Sequence, residues 1–428
     1  MDIFLFIFII IIGIISFIFN RNILFPAHIL ITSYAVASFM LIIILKNVES
    51  DISYITFLLT ILFLVIFTFF CHLGNNFGER LFFLDKSTKY SIKFIHVNNK
   101  KIIFLIAFQL LSLSLFILKF DSMLGHLNSA TLTIFRLSNH YGNSFYSMPS
   151  WINFMCNISL ISSFLSMYVL INNYFYNHKI NKKGILLIIN SLMGVSFSLV
   201  NSSRYTIFVF IIYTLCLYLF FCKITYSSKF LSSIFLSFVS FFTLISFNML
   251  GNIIGRTNGL SNSATYYFGG GMALFDSYLK DPFPTYSLIF GNYTFSTFYK
   301  GLSKIGIGNF HTQTSLPFKS INGVSIGNVY SGLFSYYVDF GIAGIVVIAI
   351  IVGFLYGLLF NYISSIVFIK KNKNIKIVIY FYLSYTLVLF TFSETFINTF
   401  LSFGLYVNIY IMYALYKFFF NELEVKQY

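Results

Sequence analysis

Apolar runs of roughly 17 to 25 residues recur from one end of this chain to the other, each long enough to cross a hydrocarbon core as a helix. They fall at about 3–19, 26–45, 53–71, 102–119, 150–171, 184–200, 205–222, 230–250, 338–362, 377–393 and 400–419. The pattern predicts an all-α polytopic membrane protein with about 11 transmembrane helices, forming a single integral membrane domain over 1–428. With 58% hydrophobic and only 9% charged residues, the chain lies far outside the composition of a soluble globular domain. The first run follows Met1-Asp2 without a basic segment or small-residue cleavage signal, so it is read as the first span and not as a removed signal.

One stretch departs from the pattern. Residues 251–331 hold no run of spanning length, yet they are too rich in aromatic and aliphatic side chains for disorder. A loop this long within a compact protein is usually functional, so it is expected to be a large, partly helical segment carrying the site. Met272 to Lys280 has a short helical pattern with a weak surface pair between Asp276 and Lys280. Farther on, Phe295, Phe298, Leu302 and Ile305 share one helical face and Lys300 and Lys304 the other, which suits a helix lying in the membrane interface. Gly269-Gly270-Gly271 reads as a flexible turn, since no phosphate-loop pattern accompanies it.

The net charge of +15 is a topology signal and does not point to nucleic acid. Assigning alternate connections to the two sides of the membrane puts about 18 Lys and Arg on one side and about 9 on the other. The basic side is expected to be cytoplasmic, which leaves the N-terminus and the 251–331 loop outside and the C-terminus inside. No repeat at a fixed period is visible, and ionisable residues inside the spans are scarce, both of which argue against a transporter. Cys71, Cys156, Cys216 and Cys222 form no metal-ligand spacing, so neither a metal nor a cofactor is expected.

Arg204, in the tight outer turn Asn201-Ser-Ser-Arg204, and Arg256, just beyond the eighth span, are candidates to clamp a lipid-linked diphosphate. Arg136, beside Asn139-His140-Tyr141-Gly142, is a third. The bland reading of all three is a snorkelling anchor at a helix end. His311 is the only histidine of the long loop and the candidate general base, with Asp276, Asp281 and Asp339 as alternatives. Asp339 is also expected to cap the ninth helix at its N-terminus. Tyr266, Tyr267, Tyr293 and Tyr330 offer ring faces and hydroxyls for sugars, although tyrosine is also the ordinary residue of a membrane interface. Glu49 and Asp51 in the early outer loop read as a solvated connector.

Taken together, Ser202-Ser-Arg204 opening a span, Tyr266-Tyr-Phe-Gly-Gly-Gly271, Gly291-Asn-Tyr-Thr-Phe295, Asn328-Val-Tyr330, and Tyr337-Val-Asp-Phe-Gly-Ile-Ala-Gly344 with the following Gly353 to Gly357 helix resemble oligosaccharide repeat-unit (O-antigen) polymerases of the Wzy type. The resemblance covers about 184–362 by motif and the remainder by hydropathy alone. It implies an inner-membrane, multi-pass glycosyltransferase with its large loop in the periplasm, polymerising undecaprenyl-diphosphate-linked units by inverting, metal-independent transfer. Of the candidates above, Arg204 matches the Ser-Arg position of the related ligases; with the residues' own chemistry this assigns His311, Arg204 and Arg256 to catalysis, and Arg136, Tyr266, Tyr267, Asp276, Asn328 and Tyr330 to substrate binding. The expected partners are the lipid-linked glycans, membrane lipids, and a chain-length regulator and flippase of the same pathway. His311 departs from the His-Asn motif of the related O-antigen ligases, and Asn328-Val-Tyr330 lacks the histidine. A ligase-like or polyprenyl-phosphosugar-dependent transferase and, from another class, a flippase of the lipid-linked unit are the alternatives.

Overall fold

The computed structural model describes residues 1–81, 92, 94–141, 146–200, 204–226, 263–285, 289–310, 312, 316–364 and 374–419. In chain order the helices are α1 (Asp2–Phe19), α2 (Pro26–Asn47), α3 (Tyr54–Leu81), α4 (Asn99–Leu124), α5 (Ser129–Tyr141), α6 (Ser150–Asn177), α7 (Lys182–Val200), α8 (Arg204–Tyr226), α9 (Ser263–Lys280) and α10 (Ser296–Lys304). A two-stranded hairpin of β1 (Lys319–Ile321) and β2 (Val324–Gly327) follows. The chain continues through α11 (Gly332–Ser364), α12 (Asn374–Leu383), α13 (Tyr385–Leu389), α14 (Ile397–Phe400) and α15 (Phe403–Phe419). These residues belong to two compact units. One comprises Met1–Ser87, Gly259–Ser365 and Ser384–Leu405, the other Thr88–Asn258, Ile366–Leu383 and Tyr406–Tyr428.

Among the described residues, seven helices are long and apolar enough to cross a membrane: α1, α2, α3, α4, α6, α8 and α11. All seven coincide with expected spans. The run at 184–200 lies within the 19-residue α7, which opens on two lysines and is not among the seven. The expected span at 377–393 is cut short: α12 and α13 follow one another through Ser384, itself αR, as an apolar stretch Ile375–Leu389 that stops ahead of Thr391-Phe-Ser-Glu394. The last run, 400–419, is the 17-residue α15, which starts only at Phe403. The run at 230–250 lies outside the described residues.

In the first unit, α3 and α11 pack in parallel through small residues on both helices. Phe67 lies opposite Gly353, Cys71 opposite Gly357 and Gly78 opposite Asn361. A Cβ at Gly353 would sit 2.6 Å from the Phe67 carbonyl oxygen, and one at Gly357 would strike the carbonyl of Cys71. Two Gly-x-x-x-Gly spacings, Gly74 with Gly78 and Gly353 with Gly357, thus let the backbones approach where any side chain would hold them apart. Because the two helices are parallel, the chain entering α3 and the chain entering α11 lie at the same end of the unit. Gly341 (φ 64°, ψ −152°) breaks α11 near its start, a conformation open to glycine at little cost.

Helix α9 corrects the reading of Gly269-Gly270-Gly271 as a flexible turn. All three glycines are helical and buried. A Cβ at Gly269 would come within 2.8 Å of the Leu41 amide on α2, and one at Gly271 within 2.6 Å of the Thr391 carbonyl oxygen. The absence of side chains serves close packing here and not mobility.

The second unit is built on α4 to α8 with α12 and most of α15. Phe116, Phe120, Phe135, Met148, Ile152 and Phe197 form an apolar core at one end. Farther along, the buried Gln109 amide donates to Ser162 Oγ (2.9 Å) and to the carbonyls of Asn190 (3.1 Å) and Ser159 (3.2 Å), joining α4, α6 and α7. Asn190 donates in turn to Ser166 Oγ (2.7 Å). Away from water such amides need these partners, which makes the seam a register device.

Candidate functional site

The described residues between 263 and 331 are not draped over the first unit but are a folded part of it. Asp276, 2% exposed on α9, accepts from the Ser53 amide (2.8 Å) and the Thr56 hydroxyl (2.7 Å), capping α3 from outside its own sequence. Its other oxygen pairs with Lys280 at 2.8 Å, and Lys280 also reaches the Asp51 carbonyl. The i,i+4 pair expected on the surface therefore has a buried carboxylate. At the hairpin, Asn322 (φ 47°) and Gly323 (φ 81°) supply the two left-handed residues of a tight turn, and Asn322 donates to the Val48 carbonyl at 2.7 Å. Lys319 pairs with Asp281 at 3.0 Å. The Ser331 amide binds the Gly271 carbonyl and the Gly332 amide binds the Phe390 carbonyl, both at 2.9 Å, fixing the entry to α11.

Two further carboxylates organise the space beside that entry. Asp339 does not cap its own helix; it lies within α11, and Gly341 is the break that follows it. Its carboxylate accepts the amides of Tyr293 (3.1 Å) and Thr294 (2.7 Å). Glu394 takes the Tyr336 hydroxyl (2.6 Å) and the amides of Ile397 and Asn398 (2.8 Å each), so it caps the short α14. Asn398 closes the circuit. Its side chain donates to the Tyr293 carbonyl (3.2 Å) and accepts from Ser296 Oγ and the Thr297 amide (3.0 Å each) at the start of α10. Burial raises the Glu394 pKa, and the bonds from Tyr336, Asn398 and Ile397 oppose that shift. Beside this network, Asn292 is 3% exposed and its Oδ1 has no hydrogen-bond partner among the described residues. A buried acceptor left open in this way favours a polar ligand or water at that point.

Helix α10 carries the cations of this region. Its N-terminus is held by Asn398, and Gly301 lies under the Phe403 ring. Lys300 and Lys304 project as exposed side chains, and no carboxylate among the described residues pairs with either. Partial desolvation, and then the charge of Lys304, lower the pKa of Lys300. Ile305 and Ile307 are exposed just beyond the helix.

The tyrosines divide. Tyr330 and Tyr293 are buried, and burial raises both hydroxyls to a pKa of about 12; Tyr330 is bonded to the Pro317 carbonyl at 3.3 Å. Tyr266 and Tyr267 on α9 are half-buried, and Tyr267 stacks on Phe392 with centroids 4.0 Å apart. Asn328 is half-exposed in a bend after β2. Of the arginines, Arg204 is the first residue of α8 and Arg136 lies in α5, with both side chains outside the described residues. Arg256 and His311 also lie outside them. Of the expected site residues, Tyr267 and Asp276 share α9 but meet different neighbours, and Tyr330 lies beside the Ser331–Gly271 bond at the entry to α11.

Glu394 and Asn398 escaped the sequence reading. The signal was present, because Glu394 is the sole acidic residue between Asp339 and Glu422 and it interrupts an apolar run. No family model matches the chain, and neither a curated protein nor a solved structure matches it.

Proposed function

We propose that this chain is a membrane glycosyltransferase that polymerises undecaprenyl-diphosphate-linked oligosaccharide units on the outer face of a bacterial inner membrane. The observation that carries the reading is the fold of the described residues between 263 and 331, anchored by the buried Asp276 and by Asn322 beside the entries of α3 and α11 and presenting Lys300 and Lys304 without carboxylate partners among the described residues. A lipid-linked diphosphate brings a leaving group that needs positive charge and orientation more than acid-base chemistry. Lysine is a point charge for phosphate; the planar donors of Arg204, Arg256 and Arg136 would complement it. His311 is the proposed base that accepts the proton of the attacking hydroxyl, and Tyr266, Tyr267 and Asn328 are proposed to face the sugars.

The test is reconstitution of the purified chain with undecaprenyl-diphosphate-linked repeat units. A ladder of products at integral multiples of the unit, lost in Arg204→Ala and Arg256→Ala, is the expected result. Transfer only onto a separate acceptor lipid would make the chain a ligase. Movement of the unit across the bilayer without new glycosidic bonds would make it a flippase.

A further inference from the structure

The second unit contains a cleft that the proposed reaction does not use. Helix α6 ends at Asn177, where His178 turns the chain in the left-handed conformation (φ 54°), and α7 begins at Lys182 with Asn181 Oδ1 accepting the Gly184 amide at 2.9 Å. Against this turn lies the segment around Ile95, held by Asn173, whose side chain exchanges two 2.9 Å hydrogen bonds with the Ile95 backbone. Between these elements is a shallow cleft, ≈ 380 Å³ when the space open to solvent is counted. Its polar wall includes Lys179, Lys183 and Asn177, and its apolar wall Phe94, Leu170 and Leu187.

The lining holds two lysines and no carboxylate, and no carboxylate among the described residues pairs with Lys179 or Lys183. Lys182 and Lys183 also occupy the first turn of α7, where the helix dipole is already positive and no acid offsets it. An anion would meet positive charge on this wall that no neighbouring carboxylate in the lining offsets. A free anion would have no use for the apolar wall. That wall continues outward through Tyr174 and Ile180, which are 38% and 54% exposed, at the end of a spanning helix. An occupant with an anionic head and an apolar tail satisfies both walls.

We propose that this cleft binds an anionic membrane phospholipid, its phosphate between Lys179 and Lys183 and an acyl chain along Leu170 and Leu187. The turn lies on the face that the Lys/Arg distribution assigns to the cytoplasm, where anionic headgroups meet basic pockets between helices.

The full chain in an uncharged detergent is titrated with phosphatidylglycerol, with phosphatidylcholine and with inorganic phosphate, following thermal stabilisation. Phosphatidylglycerol is expected to stabilise the protein more than phosphatidylcholine, with inorganic phosphate inert. In the Lys179→Gln/Lys183→Gln variant the apparent affinity for phosphatidylglycerol falls about 30-fold. The Lys46→Gln/Lys119→Gln variant, which removes equal charge elsewhere, keeps it. An equal loss in that control, an equal response to inorganic phosphate, or no preference for phosphatidylglycerol overturns the proposal. Should the Lys179/Lys183 variant fail to fold, photoactivatable phosphatidylglycerol on the wild-type protein decides. Cross-links within 94–97 and 170–187 support the site, and cross-links confined to other segments refute it.

Discussion

The Tyr336 hydroxyl donates to the Glu394 carboxylate at 2.6 Å, tying the start of α11 to a segment in which the chain abandons regular helix. Irregular backbone within a membrane protein survives only where its polar groups find partners in protein or water. Glu394 supplies them by accepting three hydrogen bonds, and Asn398 extends the arrangement to the start of α10.

Replacing Glu394 by Ala leaves the Tyr336 hydroxyl and two amides without an acceptor, at about 1–3 kcal/mol for each donor that water cannot reach. Glu394→Gln keeps one acceptor oxygen and loses less. The carboxyl pKa is raised in the folded protein, so the native state holds its proton over a pH window in which the unfolded chain has released it. This group therefore favours folding below the unfolded carboxylate pKa, and that contribution is lost as pH rises through the folded value. Thermal denaturation across acidic to neutral pH should show this slope in the wild type and lose it in Glu394→Gln. An unchanged slope would assign the dependence to another group.

Asp276 performs a similar service for α3. Asp276→Ala removes the cap on Ser53 and Thr56 and leaves Lys280 without its carboxylate, so a loss of about 2 kcal/mol or more is expected. Asp276→Asn retains a cap oxygen and should lose less, mainly through Lys280. Equal melting temperatures for all three proteins would mean that the carboxylate has no structural role, and would return it to the list of candidate bases.

Much of the scaffold was legible because span length and apolarity are local properties. The seven long helices needed no partner to reveal themselves. Helix α9 was hidden because Gly269-Gly270-Gly271 has the composition of a turn, and only Leu41 on α2, more than two hundred positions away, explains the first glycine. The same limit applied to the site. Asp339 was read as the cap of its own helix because its true partners, Tyr293 and Thr294, lie 46 and 45 positions back in sequence. Glu394 carried a visible signal, an acid in an apolar run, but its partners could not be read from spacing.

The three glycines of α9 give a sharp contrast. A Cβ at Gly270 meets only Ile326 Cγ2 at 3.4 Å, whereas at Gly271 it meets the Thr391 carbonyl at 2.6 Å and at Gly269 the α2 backbone at 2.8 Å. Gly270→Ala should be neutral or stabilising by up to about 1 kcal/mol through helix propensity. Gly269→Ala and Gly271→Ala should each cost about 1–3 kcal/mol by overpacking. A uniform response to all three changes in a melting series would restore the flexible-turn reading.

The parallel α3 and α11 make one topological statement independent of charge counting: Glu49 before α3 and Ser320 in the hairpin share a side, and Arg21 between α1 and α2 lies at the opposite end. All four native cysteines are buried, so a membrane-impermeant thiol reagent has a low background. In intact spheroplasts Glu49→Cys and Ser320→Cys should label, and Arg21→Cys only after lysis. Labelling of Arg21→Cys alone would invert the membrane orientation while preserving the fold.

Lys300 and Lys304 connect the geometry to the proposed reaction. Removing either charge should lower turnover of the lipid-linked substrate about 10-fold or more, and raised salt should depress the wild type more than the double alanine variant. Desolvation first, and Lys304 second, lower the Lys300 pKa, so Lys300 loses its proton at a lower pH than an ordinary lysine. If its charge is required, activity falls on the alkaline side as that proton leaves. Lys304→Ala removes one cause of the shift, so the alkaline limb of its residual activity should move to higher pH. Lys300→Ala should abolish the limb altogether. A limb that stays in place in both variants would show that these lysines do not meet the anionic substrate, leaving Arg136, Arg204 and Arg256 to supply the positive charge.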